Sequence, residues 1–119
     1  MVSAKSPTVR LQHILENIDG ILAATAGMPA AEVMRSFVVI RAVERAVQII
    51  SEAAKELPQE MRDSEPEVPW QEIIRIGNIL RHEYYRIRED VLVDILQTDL
   101  PQLRPAVARL PDRAQSSET

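Results

Sequence analysis

Apolar residues recur at steps of three and four along most of this chain, and this spacing constrains the fold more than any other feature. Near the start, six of them fall on one stripe of a helix: Leu11, Ile14, Leu15, Ile18, Ile21 and Leu22. The same pattern predicts helices over residues 8–26 and 29–57, from Pro69 onward and from about Arg88 onward. The predicted fold class is therefore all-α, a four- to five-helix up-and-down bundle.

Glycine and proline mark the predicted helix boundaries. Gly27 suits the stop of the first helix, and Pro29 and Pro69 suit the first turns of the helices that follow. At residues 98–101 we expect a break and restart, with Asp99 as the cap and Pro101 in the new first turn. The length of 119 residues suits one domain, which we assign to residues 8–111, with flexible termini at 1–7 and 112–119.

The helix predicted over residues 29–57 is apolar on more than one side. One stripe holds Val33, Phe37, Ile40 and Val47, and a second holds Val39, Val43, Ile50 and Ala53. Its polar strip could line a shared cleft or simply pair along the helix, as Arg41 can with Glu44. Because a chain of this size cannot bury so much apolar surface alone, the pattern predicts a homodimer.

Composition excludes several classes of function. The formal net charge of −4 argues against an extended, generic nucleic-acid binder, although it allows a small local phosphate site. The chain has no cysteine, which excludes disulfides and thiolate chemistry, and we see no metal-binding cluster and expect no cofactor. No apolar run reaches membrane-spanning length and no signal pattern opens the chain, so we expect a cytoplasmic protein with no membrane partner.

The stretch from Arg75 to Tyr85 concentrates the residues suited to chemistry. His82 can exchange protons near neutral pH and so act as a general acid or base. Arg75 and Arg81 can hold phosphate oxygens through paired hydrogen bonds. On a helix, Arg75 and His82 lie within roughly 20° of each other around the axis but about 10 Å apart along it.

Each of these residues also has a plainer interpretation. His82 could be a partly exposed residue near a helix C-terminus, where the helix dipole favours its cationic form. The arginines could belong to a solvated face, although the four Arg and two Glu from Trp70 to Arg88 make the segment locally basic. Tyr84 and Tyr85 could stack on a base or accept a modification, or one could close the core while the other stays in water.

Four stretches of the chain resemble the HEPN superfamily, in particular the HepT-like proteins encoded beside minimal nucleotidyltransferases. They read RAVERAVQIISEAAKEL at 41–57, VPWQEII at 68–74, NILRHEY at 78–84 and DLPQL at 99–103. The resemblance covers roughly residues 9–110 and implies a helical dimer in which two Arg-x(4–6)-His motifs face a common cleft. It also implies a metal-independent endoribonuclease that acts on RNA as the toxin of a toxin–antitoxin pair.

The resemblance implies a role for several residues. His82 matches the family histidine, and Asn78 matches the polar residue that follows the family arginine. Tyr84 completes the His-x-Tyr element, and the nucleotidyltransferase antitoxin of such pairs can adenylylate this tyrosine. The chain departs from the commonest pattern at Gly77, where the arginine usually stands. Arg75 still fits the longer spacing.

Two other functions stay open beside the ribonuclease toxin. One is a catalytically degenerate module that binds a nucleotide or docks the nucleotidyltransferase, with Gly77 reflecting lost nuclease activity. The other is a helical dimer with a purely structural role.

Overall fold

A computed structural model describes residues 6–118, with the side chains of residues 6–110, and every regular element in this part of the chain is helical. The helices are α1 (Pro7–Ala24), α2 (Ala30–Arg35), α3 (Phe37–Lys55), α4 (Gln59–Asp63), α5 (Trp70–Glu83), α6 (Glu89–Asp94) and α7 (Leu100–Glu118). A 3-10 turn (Tyr84–Arg86) follows α5, and a π-helical segment (Ile95–Asp99) joins α6 to α7 without a break. The predicted all-α class is confirmed.

The long helices α1, α3, α5 and α7 form the bundle. Helix α3 is central because it packs against both α1 and α5, and α1 also packs along α7. Leucine, isoleucine and valine fill the space between them, including Ile14, Ile18, Val43, Ile50, Leu80, Leu92, Val107 and Leu110. Burial of each such side chain contributes about 1.5–3 kcal/mol, so aliphatic packing provides most of the stabilisation.

The single helix predicted over residues 29–57 is wrong, because the chain leaves the helical conformation at Ser36. Ser36 has φ −94° and ψ 110°, and its Oγ accepts a hydrogen bond from the Val39 N–H at 3.2 Å. It therefore caps α3, which begins at Phe37. Phe37, which was assigned to one of the apolar stripes, is 72% exposed in the single chain.

The break predicted at residues 98–101 is also wrong, since the helix continues through this region. The Leu100 N–H donates to the Ile95 carbonyl, five residues back, so Asp99 lies within a π-helical turn and not at a cap. Pro101 has no N–H to donate to Gln97, and its ring crowds that carbonyl; a wider turn relieves both problems.

The helix ends lie close to the glycine and proline residues that predicted them, with small shifts. Helix α1 stops at Ala24, and Gly27 then adopts φ +78°, a conformation that favours glycine. Pro29 and Pro69 stand at the N-cap positions of α2 and α5, one residue before the predicted first turn. Of the predicted flexible termini, residues 1–5 and 119 lie outside the described residues, and the flexibility of 112–118 stays a prediction. None of the described helices is long and apolar enough to span a bilayer.

Candidate functional site

Contacts at the start of α5 fix which side of this helix faces solvent. The indole N–H of Trp70 donates to the carbonyls of Arg62 and Glu65, at 2.9 and 3.1 Å. Trp70 and Leu80 are buried against the core. Because the helix cannot rotate without losing these contacts, Arg75, Asn78 and His82 stay exposed.

His82 lies in the last turn of α5, one residue before the helix ends at Glu83. Its side chain is exposed and forms no hydrogen bond or ion pair with the described residues. The chain then turns through Tyr84–Arg86. The imidazole is consequently accessible to a ligand without the loss of any internal contact.

Arg75 shares the face of His82 but is held by a neighbouring carboxylate. Its Nε and Nη2 donate to the two carboxylate oxygens of Glu72, the first at 3.0 Å. This hydrogen bonding, together with the opposite charges, raises the pKa of Arg75 and lowers the pKa of Glu72. A phosphate that binds this guanidinium competes with Glu72 for its N–H groups.

Asn78 and Arg81 form a second group, directed toward α3. Arg81 donates to Asn78 Oδ1 at 2.8 Å and to Glu52 Oε2 of α3 at 2.9 Å. A small cavity of about 30 Å³ lies beside them between the two helices. The structure therefore brings Asn78 and Arg81 into contact, whereas it shows no hydrogen bond from either of them to Arg75 or His82 among the described residues.

Gly77 is buried against Ser51 of α3. Ser51 is 4% exposed, and its Oγ donates to the Ile74 carbonyl at 3.2 Å, which ties the two helices at this level. No side chain fits at position 77 unless Ser51 moves. The departure from the family pattern thus has a packing reason.

The excess of arginine in residues 70–88 is offset by carboxylates. Each of its four arginines pairs with an acid: Arg75 with Glu72, Arg81 with Glu52, Arg86 with Glu83 and Arg88 with Asp90. These pairs are exposed, where an ion pair contributes about 0–1 kcal/mol. A phosphate can therefore compete for the same guanidinium groups.

An exposed apolar patch beside the site was not found from the sequence. It consists of Met34, Phe37, Val38, Tyr84 and Tyr85, with the last four 72%, 74%, 53% and 73% exposed. The break at Ser36 starts α3 at Phe37, and Arg41 in the next turn lies near the rings of both Phe37 and Tyr84. The signal for this break was the serine before an apolar run, which is typical of a helix start.

Arg41 lies within this apolar patch. Its guanidinium is 4.9 Å from the ring centre of Phe37 and 5.4 Å from that of Tyr84, distances typical of cation–π contacts. The predicted pairing with Glu44 is confirmed, at 2.8 Å. Tyr84 and Tyr85 meet edge to face, with ring centres 5.9 Å apart. Both tyrosines are exposed, so neither closes the core.

Comparison with known proteins assigns the chain to a family. The family model described as "Ribonuclease HepT-like" matches residues 14–110, which include α5 and His82. This chain belongs to the HepT-like ribonuclease family. No solved structure matches it. Among the described residues, no three His, Asp or Glu side chains are placed to hold a metal ion together.

Several relatives of this HepT-like chain carry ribonuclease names. It is 30% identical over 106 residues to a protein of Caldanaerobacter subterraneus named "Putative RNase", covering 89% of this chain and 95% of that protein. A protein of Methanocaldococcus jannaschii with the same kind of name is 32% identical over 97 residues, covering 82% and 89%. The "Probable ribonuclease HepT" of Thermococcus cleftensis is 36% identical over 69 residues, covering 58% and 63%. These matches support a ribonuclease function.

Proposed function

We propose that this chain is a metal-independent endoribonuclease that acts in the cytoplasm as the toxin of a toxin–antitoxin pair. The observation that carries the proposal is the match to the HepT-like ribonuclease family over residues 14–110, together with an exposed histidine at the end of α5. His82 is the catalytic residue of this proposal. Arg75, Asn78 and Arg81 bind and orient the phosphate.

The chemistry needs no metal because RNA carries its own nucleophile. The 2′-hydroxyl attacks the adjacent phosphorus while a neutral His82 accepts its proton, and the bond from phosphorus to the 5′-oxygen breaks. A second, protonated imidazole donates a proton to the leaving 5′-oxygen. The products are a 2′,3′-cyclic phosphate and a 5′-hydroxyl. Arg75 stabilises the charge that develops on the phosphoryl oxygens.

The second imidazole comes from a second copy of the chain. The residues of the apolar patch are exposed, and Arg41 lies near the rings of both Phe37 and Tyr84, as expected of a surface that another protein covers. Tyr84, in the patch, is only two residues from His82. Two-fold association across the patch brings the two His82 side chains to one groove, since each copy presents the same surface to the other.

The polar residues of α5 have separate tasks in this groove. Arg75 exchanges Glu72 for a phosphate oxygen, a change that costs little because the existing pair is exposed. Arg81 holds Asn78 Oδ1, which directs the Asn78 amide N–H groups outward as donors. Arg81 itself can turn from Glu52 to a second phosphate of the RNA strand.

Tyr84 is the regulatory residue of the proposal. Its ring is more than half exposed in the single chain, so a nucleotidyltransferase partner can reach its hydroxyl before a second copy covers the patch. The phenolic oxygen attacks the α-phosphorus of ATP and releases pyrophosphate, leaving an adenylyl group on Tyr84. This group adds a negative charge and a bulky nucleotide two residues from His82, and both exclude RNA.

Cleavage of RNA in EDTA tests the proposal. Purified wild-type protein should cut single-stranded RNA without a divalent metal and leave 2′,3′-cyclic phosphate ends, and His82→Ala should abolish the cleavage. His13→Ala, a change of the other histidine, is the matched control and should leave cleavage unchanged. Equal cleavage by the His82→Ala variant, or cleavage only with added Mg²⁺, would contradict the mechanism.

The second candidate is a catalytically degenerate module that binds a nucleotide or docks the nucleotidyltransferase. Two observations favour it: position 77 cannot hold an arginine, and the arginines of α5 are paired with acids. It predicts a protein that binds its partner but neither cuts RNA nor arrests growth on expression. Growth arrest that the partner relieves, and that His82→Ala removes, would select the nuclease.

A further inference from the structure

A cleft of about 300 Å³ opens where α3, α5 and α7 meet. It shares no lining residue with the small cavity beside Asn78 and Arg81, and it does not include His82. Its floor is apolar and is formed mainly by Val47, Ile50, Ile73, Ile76, Ile95 and Leu103. This size is at the lower end of the range for small-molecule sites, which are also mainly apolar.

The rim of this cleft is acidic. Four carboxylates line it, Glu65, Glu67, Glu72 and Asp99, whereas the only cation among the lining residues is Arg109. Arg109 is occupied by Glu65, with 2.6 Å between Nε and Oε1. The nearby charge of Glu67 also contributes to the raised pKa of Arg109. This excess of negative charge disfavours an anionic ligand within the cleft.

Two carboxylates of the rim, Glu67 and Asp99, form no ion pair with the described residues, and Asp99 is the one farther along the chain from Arg109's partner Glu65. Among the described residues, its side chain has neither a hydrogen bond nor an ion pair. Partial burial and the charge of Asp94 raise the pKa of Asp99. Asp99 ends the π-helical segment (Ile95–Asp99), and such wide turns often occur at functional sites. A ligand with a positive charge would relieve both unfavourable effects.

We propose that this cleft binds a small organic cation, namely an amine with an apolar body. The ammonium group pairs with the Asp99 carboxylate, and the hydrocarbon body covers Ile73 and Ile76 on the floor. An anionic ligand is disfavoured by the rim, and a bare metal ion would leave the apolar floor uncovered. The inference does not depend on the proposed ribonuclease activity.

Titration of the full chain with three six-carbon probes tests this inference. Hexylamine, hexan-1-ol and hexanoate have the same body and differ in charge, and isoleucine methyl NMR shifts report where each binds. Hexylamine should move the signals of Ile73, Ile76 and Ile95 and bind most tightly, while hexanoate should bind most weakly. Asp99→Asn should weaken hexylamine binding by up to about fivefold, as expected when an exposed ion pair is lost, and leave hexan-1-ol binding unchanged. Glu16→Gln, which removes an exposed carboxylate of α1, should change neither.

Three results would overturn the inference. The first is equal affinity for the amine and the alcohol, which would remove the role of charge. The second is shifts confined to residues outside the cleft. The third is isoleucine signals that respond to dilution of the protein but not to the amine, which would make a second copy the occupant. RNA cleavage is measured separately, so its failure leaves this test intact.

Discussion

Gly77 and Ser51 share a contact between α5 and α3 that has room for the side chain of only one of them. A Cβ on residue 77 would overlap both Oγ and Cβ of Ser51. Helix α5 therefore approaches α3 as closely as a serine packed on bare backbone allows. At position 77 this chain therefore differs from the HepT-like pattern in helix packing as well as in the missing arginine side chain.

The contact predicts that Gly77→Ala destabilises the protein. Alanine is intrinsically the better helix former by about 1 kcal/mol, but overpacking costs about 1–3 kcal/mol, and a clash this close favours the upper end. Urea unfolding should show a lower free energy of unfolding for the variant. Adding Ser51→Gly should restore it, whereas Ser51→Ala should not, because the Cβ clash remains. A Gly77→Ala variant as stable as the wild type would show that the helices move apart freely.

Ser36→Ala should lower the free energy of unfolding by about 1 kcal/mol, because it removes the side-chain cap of α3. Ser36→Asp, which can still accept the Val39 N–H, should keep most of the stability. The substitution also tests the break itself. If residues 29–57 formed one continuous helix, alanine would stabilise it, so a more stable Ser36→Ala variant in urea unfolding would argue for the continuous helix.

Glu72→Gln should strengthen RNA binding by up to about fivefold, because the exposed ion pair that occupies Arg75 is worth at most about 1 kcal/mol. Arg75→Ala should weaken binding and reduce the slope of log affinity against log salt by about 0.7. Fluorescence anisotropy of a labelled single-stranded RNA, in the His82→Ala background, measures both. Asp19→Asn, which breaks the exposed pair with Arg104, is the control. Unchanged affinity of Arg75→Ala would remove this residue from the phosphate site.

Phe37→Asp should dissociate the proposed dimer, because it places a charge in the centre of the apolar patch. Sedimentation should then show monomers, and RNA cleavage should fall with the dimer. Phe37→Leu keeps an apolar side chain and should retain the dimer, and Ala108→Asp on the exposed side of α7 controls for added charge. A Phe37→Asp variant that stays dimeric would place the subunit interface elsewhere.

Asp99→Asn should stabilise the protein at neutral pH. Since the pKa of Asp99 is raised by folding, its charged form costs free energy only in the folded state. The cost is present above the raised pKa and declines as pH falls through it. It becomes small once pH falls below the ordinary aspartate pKa of about 3.9, where the carboxyl group is increasingly protonated in both states. Thermal unfolding at pH 7 and pH 3.5 should show a higher midpoint for the variant only at pH 7, and an equal gain at both values would contradict this account.

Local periodicity was sufficient to predict the helical class and the approximate position of α1, α5 and α6. It failed at Ser36 and at Asp99 for physical reasons. At Ser36, one hydroxyl competes with helix continuation, and the apolar pattern runs across the break without a change of phase. At Asp99, the chain accommodates Pro101 by widening one turn, a choice that depends on how α6 and α7 pack together.

The amino-acid sequence by itself determined that this protein is a helical bundle, that its core is aliphatic and that His82 stands at the end of a helix on the same side as Arg75. Each of these follows from neighbours within a few residues along the chain. Only the tertiary structure decided that Ser51 fills the space beside Gly77 and that Arg81 forms an ion pair with Glu52. It also decided that Phe37, Tyr84 and Tyr85 are all exposed in one patch. Those relationships join residues 26–48 positions apart, and helical spacing carries no information about which faces of different helices meet.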